Sequence, residues 1–237
     1  FVNMSASIGF AHGPSDELVI PQTTVAPNID GKLDDALWNA FEHVEWGLLD
    51  TGGKVDPNQF SRSWAAYDDK FLYVAFENLE PNTGAITTIS PGHDVDVWRD
   101  DENELFIEPN HLGDRPYFHI MINAENTTQD DENGGAEGDW DPDLESATRI
   151  NNDNWVLELK IPFEDLGFDN APVGETWGWN FNRHIMAGVD IWTGWTFVGA
   201  SFHTPDQFGN LIFGIEKAAV DPTGKLARTW GSVKDAQ

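Results

Sequence analysis

Trp98-Arg99-Asp100-Asp101-Glu102-Asn103-Glu104-Leu105-Phe106-Ile107 is a tryptophan-led acidic loop that runs directly into a strand. The strand alternates, with Glu104, Phe106 and Glu108 on one face and Leu105 and Ile107 on the other. In an ordinary sandwich the outer face of such a strand carries solvated Thr or Lys. This one offers carboxylates beside an exposed aromatic ring, a pairing that suits a polyhydroxylated ligand. A pyranose stacks its C–H face on an indole, and Glu104 accepts from sugar hydroxyls through charge-assisted hydrogen bonds. A loop tryptophan plugging one end of the sandwich above a solvated Glu104 satisfies the same pattern.

Outward from this strand the same alternation recurs. Residues 63–66 and 71–77 read as a hairpin turning on Tyr67-Asp68-Asp69-Lys70. Its second arm, Phe71-Leu72-Tyr73-Val74-Ala75-Phe76, is apolar on both faces and therefore central. Further strands are predicted at 103–108, 116–123, 146–150, 154–161, 176–183, 193–199 and 210–215. In the 154–161 strand Trp155, Leu157, Leu159 and Ile161 point inward; Pro162 stops it, and Glu164-Asp165-Leu166 makes one helical turn. Ile29-Asp30-Gly31-Lys32 places a tight turn before a short helix over 34–41, with Asp34 as N-cap and Leu37, Trp38 and Phe41 facing inward. Two loops are long, 79–101 and 124–145, and such loops are usually functional or metal-bound. The prediction is an all-β fold: an antiparallel two-sheet β-sandwich with long acidic loops and one or two short helices. It spans 23–216, between an N-terminal extension (1–22) and a C-terminal one (217–237).

Composition limits the function. The chain has 237 residues, 15 Phe and 11 Trp, enough for one domain with a sizeable core. With 41 acidic against 13 basic residues its net charge is −28 and its isoelectric point about 4.2. That field repels phosphate backbones and anionic lipid, which argues against nucleic-acid and membrane-surface partners. It attracts cations and suits a secreted or cell-surface protein. Cysteine is absent, so disulfides and thiolate chemistry are excluded. No apolar run reaches transmembrane length. The start, Phe1 to His12, lacks a basic region and reads as a mature terminus or the remnant of a processed export signal. Catalysis is not expected: there is no nucleophile elbow, no glycine-rich phosphate loop, and no apolar pocket signature around Asp100 and Asp101.

Ile29-Asp30-Gly31 with Asp34-Asp35 and Trp38, then Phe71 to Ala75, then Trp98 to Phe106, occur in a familiar order. Trp155 to Pro162, Trp177-Gly178-Trp179-Asn180-Phe181 and Phe208-Gly209-Asn210-Leu211 complete it. Over roughly 25–215 the chain resembles the family 9 carbohydrate-binding modules, within the wider DOMON-like sandwich group. The resemblance implies two antiparallel sheets, structural calcium, and a sugar held at an aromatic slot by two tryptophans, a Glu and an Arg. Carried over, the first tryptophan falls on Trp98 and the Glu on Glu104. The second tryptophan falls near Phe202, which stacks with less area. The Arg falls near His119, which donates without a guanidinium fork. The expected ligand site is Trp98, Glu104, His119 and Phe202, with His203 at its rim.

Metals offer further readings. Asp130, Asp131, Asp139, Asp141 and Asp143 supply carboxylates at alternate loop positions, as calcium requires, although neither acidic loop matches an EF-hand. Seven histidines (His12, His43, His93, His111, His119, His184 and His203) support a different metal. A weaker resemblance links the chain to copper(I)-binding surface proteins of methane-oxidising bacteria, which use two His and an oxidised Trp; His43 near Trp46 and His93 near Trp98 would serve. A DOMON-like haem binder, with ligands drawn from Met4, Met121, Met186 and the histidines, is a third alternative.

Overall fold

The computed structural model of the chain describes residues 16–41, 43–134, 140–197, 199 and 201–217. Its strands are β1 (Glu17–Gln22), β2 (Val44–Trp46), β3 (Leu48–Leu49), β4 (Ser61–Tyr67), β5 (Phe71–Leu79), β6 (Glu102–Glu108) and β7 (Phe118–Asn123). They continue with β8 (Thr128–Glu132), β9 (Glu145–Ile150), β10 (Asn154–Pro162), β11 (Thr176–Ile185), β12 (Ile191–Gly194) and β13 (Gly209–Lys217). One wall of the sandwich runs β8-β7-β6-β11-β13 and the other β4-β5-β10-β9. Within each wall neighbouring strands are antiparallel, as expected. The two walls are nevertheless one curled sheet, because β1 joins them by parallel pairing with β13 and, at Gln22 and Tyr67, with β4. β1 lies in the stretch read from sequence as an N-terminal extension.

The alternating strands meet across one core. Leu105, Ile107, Ile120 and Ile122 of β6 and β7, with Trp177, Trp179 and Phe181 of β11, face Leu72, Val74 and Phe76 of β5 and Trp155, Leu157, Leu159 and Ile161 of β10. Phe76 meets Phe181 edge-on at 5.4 Å, a favoured aromatic geometry. The double-sided apolarity of Phe71–Phe76 has its cause in α1 (Ala36–Ala40), which lays Leu37 and Trp38 over Ala66, Tyr73 and Ala75 on the outside of β4 and β5. Phe41 packs at the margin of the same cluster.

Glu158, on the outer face of β10, explains the Asp-Gly turn. Its Oε2 accepts from the backbone N–H groups of Asp30, Gly31 and Lys32 at 3.1, 2.8 and 3.1 Å, and its Oε1 from Trp38 Nε1 at 2.7 Å. Gly31 is obligatory here: its φ is +75°, and a Cβ would lie 3.0 Å from the Thr148 backbone.

The structure corrects several local expectations. Asp35, not Asp34, occupies the N-cap of α1, and its carboxylate accepts from Asn28 N at 3.2 Å instead of capping the helix. Pro162 is the last residue of β10, as an edge-tolerant terminal position permits. The loop expected at 124–145 contains β8, and the 193–199 strand is displaced to Ile191–Gly194.

Glu158→Ala leaves four donors without their acceptor. Because bonds to a charged acceptor contribute about 1.5–3 kcal/mol each and are not additive, a loss of at least about 3 kcal/mol is expected. A denaturant titration that moved little, at unchanged slope, would contradict this anchoring role.

Candidate functional site

The register of β6, β7 and β8 sets polar residues in two rows on the outer face. Glu104 pairs with Met121 and Met121 with Gln129; Phe106 pairs with His119 and His119 with Asp131. This face is not open. Phe106 is wholly buried, contrary to the exposed aromatic expected, because Tyr117, Phe202 and Phe208 pack over it. Glu108 is buried too, and its Oε1 accepts from the backbone N–H groups of Leu112, Gly113 and Asp114 at 2.7, 2.7 and 3.1 Å. What remains open is a cavity of about 440 Å³. Trp98, Glu104, His119, Phe202 and His203, the five residues expected to bind ligand, all line it.

An ionic triad forms its floor. His119 Nε2 lies 2.7 Å from Glu104 Oε2 and Nδ1 lies 3.0 Å from Asp131 Oδ2. Burial opposes charge on the ring, yet hydrogen bonds to both carboxylates outweigh it and raise the pKa to about 9. The imidazolium donates from both nitrogens, which aims Glu104 and Asp131 and leaves His119 no freedom to rotate. It also stacks on Phe106 at 4.1 Å between centroids. Asp131 is lowered: burial would raise it, but His119 prevails. Its Oδ1 accepts from Gly134 N at 2.7 Å.

Aromatic rings form the walls. Trp98 sits in a single 3-10 turn (Val97–Arg99) and is 48% exposed, a high value for an indole. Trp192, on β12, is the wall residue that sequence reasoning missed. His184 ties the two together: its ring stacks on Trp192 at 3.6 Å and 9°, and its Nδ1 hydrogen-bonds the Trp98 carbonyl at 2.9 Å. Phe202 meets Trp192 edge-on at 5.6 Å. His203 stands at the rim. Burial and then the His119 charge lower its pKa, and its Nδ1 shares a hydrogen bond with the Tyr117 hydroxyl at 2.9 Å. Gly134 makes room for it, since a Cβ there would lie 2.9 Å from His203 Nδ1.

The acidic run before β6 is structural. Asp100 accepts from the backbone of Ile89 and Ser90 and from Asn123 Nδ2; Asp101 accepts from the backbone of Thr87, Met186 and Ala187. These bonds fasten the loop that carries Trp98. Glu102 is fully buried; desolvation and then the Glu104 charge push its carboxyl well above the ordinary range.

The described residues among those expected to bind calcium have different surroundings. Asp131 is engaged by His119, and Asp143 N bonds Asp165 at 2.9 Å; Asp139 lies outside the described residues. Asp130 instead gathers with His93 and Asp94. Burial and then the Asp94 charge push its pKa up to about 7, the direction a nearby cation would reverse. Of the copper residues, His43 packs on Trp64 at 5.0 Å, not on Trp46, whose Nε1 bonds Ser63 at 3.0 Å. His93 bonds Thr128. Of the haem candidates, Met121 lines the cavity, Met186 N bonds Asp101, and Met4 and His12 lie outside the described residues.

The His119 shift has a definite sign. Its folded pKa of about 9 exceeds the ordinary 6.5, so its contribution is complete below pH 6.5 and is lost as pH rises through 9. The melting temperature should therefore fall across that window, and His119→Gln should flatten the fall. Parallel profiles for the two proteins would contradict a charged His119.

A family model described as carbohydrate family 9 binding domain-like matches residues 29–214. The exoglucanase XynX of Acetivibrio thermocellus is 22% identical over an alignment of 222 residues that covers 88% of this chain, and the chain spans 18% of that protein's length. A family 9 carbohydrate-binding module from Caldicellulosiruptor kristjanssonii in complex with glucose has a TM-score of 0.63 at 17% identity, covering 87% of this chain and 99% of that one. The complex of such a module with cellotriose, from the same organism, also has a TM-score of 0.63, at 20% identity, with 86% and 98% covered. At these identities the solved structures bear on the fold, a β-sandwich. The family model, extending over most of the chain, shows that it belongs to the carbohydrate family 9 binding domain-like family.

Proposed function

We propose that the chain is a non-catalytic carbohydrate-binding module of a secreted or cell-surface protein. In this reading it holds a sugar against Trp98, Trp192 and Phe202, above the Glu104 carboxylate. The observation that carries this reading is a cavity of about 440 Å³ with aromatic walls and a floor carboxylate aimed by a buried cation. Sugars present apolar C–H faces and a rim of hydroxyls, so they gain from both surfaces at once. Relatives in complex with glucose and cellotriose support a glucan as the first ligand to test. His119 stands where the family resemblance places an arginine. It keeps a positive charge there but directs it into Glu104 and Asp131, so Glu104 and Gln129 are left to meet the hydroxyls.

Calorimetry with glucose and cellotriose tests the proposal. Trp98→Ala should weaken binding roughly 10-fold or more, equivalent to about 1.4 kcal/mol, with little effect on the fold, because the residue is 48% exposed. Glu104→Gln should weaken it as well, by replacing a charge-assisted acceptor with a neutral one. Absence of binding by the unmodified protein, or binding indifferent to both substitutions, would contradict this site.

A further inference from the structure

We propose that His93, Asp94 and Asp130 form a site for a first-row divalent cation of the zinc or manganese class, with Asp141 as an outlying ligand. None of the four lines the sugar cavity, so the inference is independent of the function proposed above. One ligand atom from each of His93, Asp94 and Asp130 lies within 4.8 Å of the others. Ligand atoms about 2.0–2.2 Å from one tetrahedral ion lie about 3.3–3.6 Å apart, so an ion would draw these three together.

Three further observations favour a cation. Asp130 is 1% exposed, and its Oδ1 has no hydrogen-bond partner among the described residues. A buried carboxylate oxygen in that state calls for a compensating positive charge. Next, His93 is held as metal-binding imidazoles are held. Its Nδ1 lies 2.8 Å from Thr128 Oγ1 and 3.2 Å from the Thr128 carbonyl. With a proton on Nδ1, donated to the Thr128 carbonyl, the Nε2 lone pair would be free to coordinate an ion beside the carboxylates. Nε2 lies 3.1 Å from Asp94 Oδ2 and 3.8 Å from Asp141 Oδ1. Third, the carboxylates are already placed relative to one another: Asp94 Oδ1 accepts from Asp130 N at 3.3 Å, and Asp94 N donates to the Thr128 carbonyl at 2.9 Å.

The donor set selects the ion. One imidazole with carboxylates suits zinc or manganese, whereas calcium prefers an all-oxygen shell and copper(I) prefers sulfur. Such an ion cross-links β8 to the loop that leads, four residues after Asp94, into Trp98.

The test uses the metal-stripped protein, with melting curves and calorimetry in zinc, manganese, calcium and magnesium chlorides. Zinc or manganese should bind one to one and raise the melting temperature by roughly 5–10 °C at about 100-fold excess over Kd. Asp130→Asn should melt at or above the metal-free protein, because it relieves repulsion, yet lose the response. His93→Gln, at an exposed position, should weaken zinc at least about 10-fold. No stabilisation by any ion, stabilisation by calcium alone, or a zinc response unchanged in both variants would overturn the proposal.

Discussion

Buried carboxylates that collect backbone N–H groups are the interaction on which this structure depends. A β-sandwich pairs backbone donors within its ladders, but its turns and crossovers leave donors that water cannot reach. Here Glu158 gathers the turn before α1, Glu108 the loop after β6, Asp101 the N–H groups of residues 87, 186 and 187, and Asp100 those of 89 and 90. Charge-assisted bonds offset the desolvation of each acid, which an isolated carboxylate could not survive. With 41 acidic and 13 basic residues the chain lacks cations enough to pair its acids, and backbone dipoles take much of that role inside. Arg183 with Glu80 at 3.2 Å, and His119 with Glu104 and Asp131, are the buried exceptions among the described ion pairs.

The candidate site follows from the same device. Fastening 87–90 and 186–187 to Asp100 and Asp101 brings the Trp98 turn beside β11, where His184 can reach both Trp98 and Trp192. Beneath them the His119 imidazolium is the charge that the floor acids share. Rigid walls and an aimed carboxylate lower the ordering cost of binding, which matters for a ligand whose hydroxyls water solvates well.

The core was legible in the sequence because it depends on local periodicity. Trp155 to Ile161 and Leu105 to Ile107 alternate, and both point where the alternation says. The outer face was not legible, because its burial depends on residues far away in the chain: Phe106 and Glu108 look solvated until Phe202, Phe208 and the 112–114 backbone cover them. β8 escaped for a related reason. Thr128-Gln129-Asp130-Asp131-Glu132 has no apolar period, since Gln129 and Asp131 turn to the cavity while Asp130 turns to His93 and Asp94. Trp192 lies one residue before the predicted strand, and with Trp195 nearby the alternation could not say which indole faces out. The family resemblance located Trp98, Glu104 and His119 at the cavity, while the charge on His119 became visible only with Asp131 beside it.

The cavity between Trp98 and Trp192 is the proposed seat of the sugar. Indole N–H resonances report on it directly, because each tryptophan gives one signal assignable by substitution. On titration with cellotriose, the Trp98 and Trp192 signals should move together and saturate, while the buried indoles Trp155, Trp177 and Trp179 stay still. Saturable shifts at other tryptophans with Trp98 and Trp192 unmoved would contradict the account.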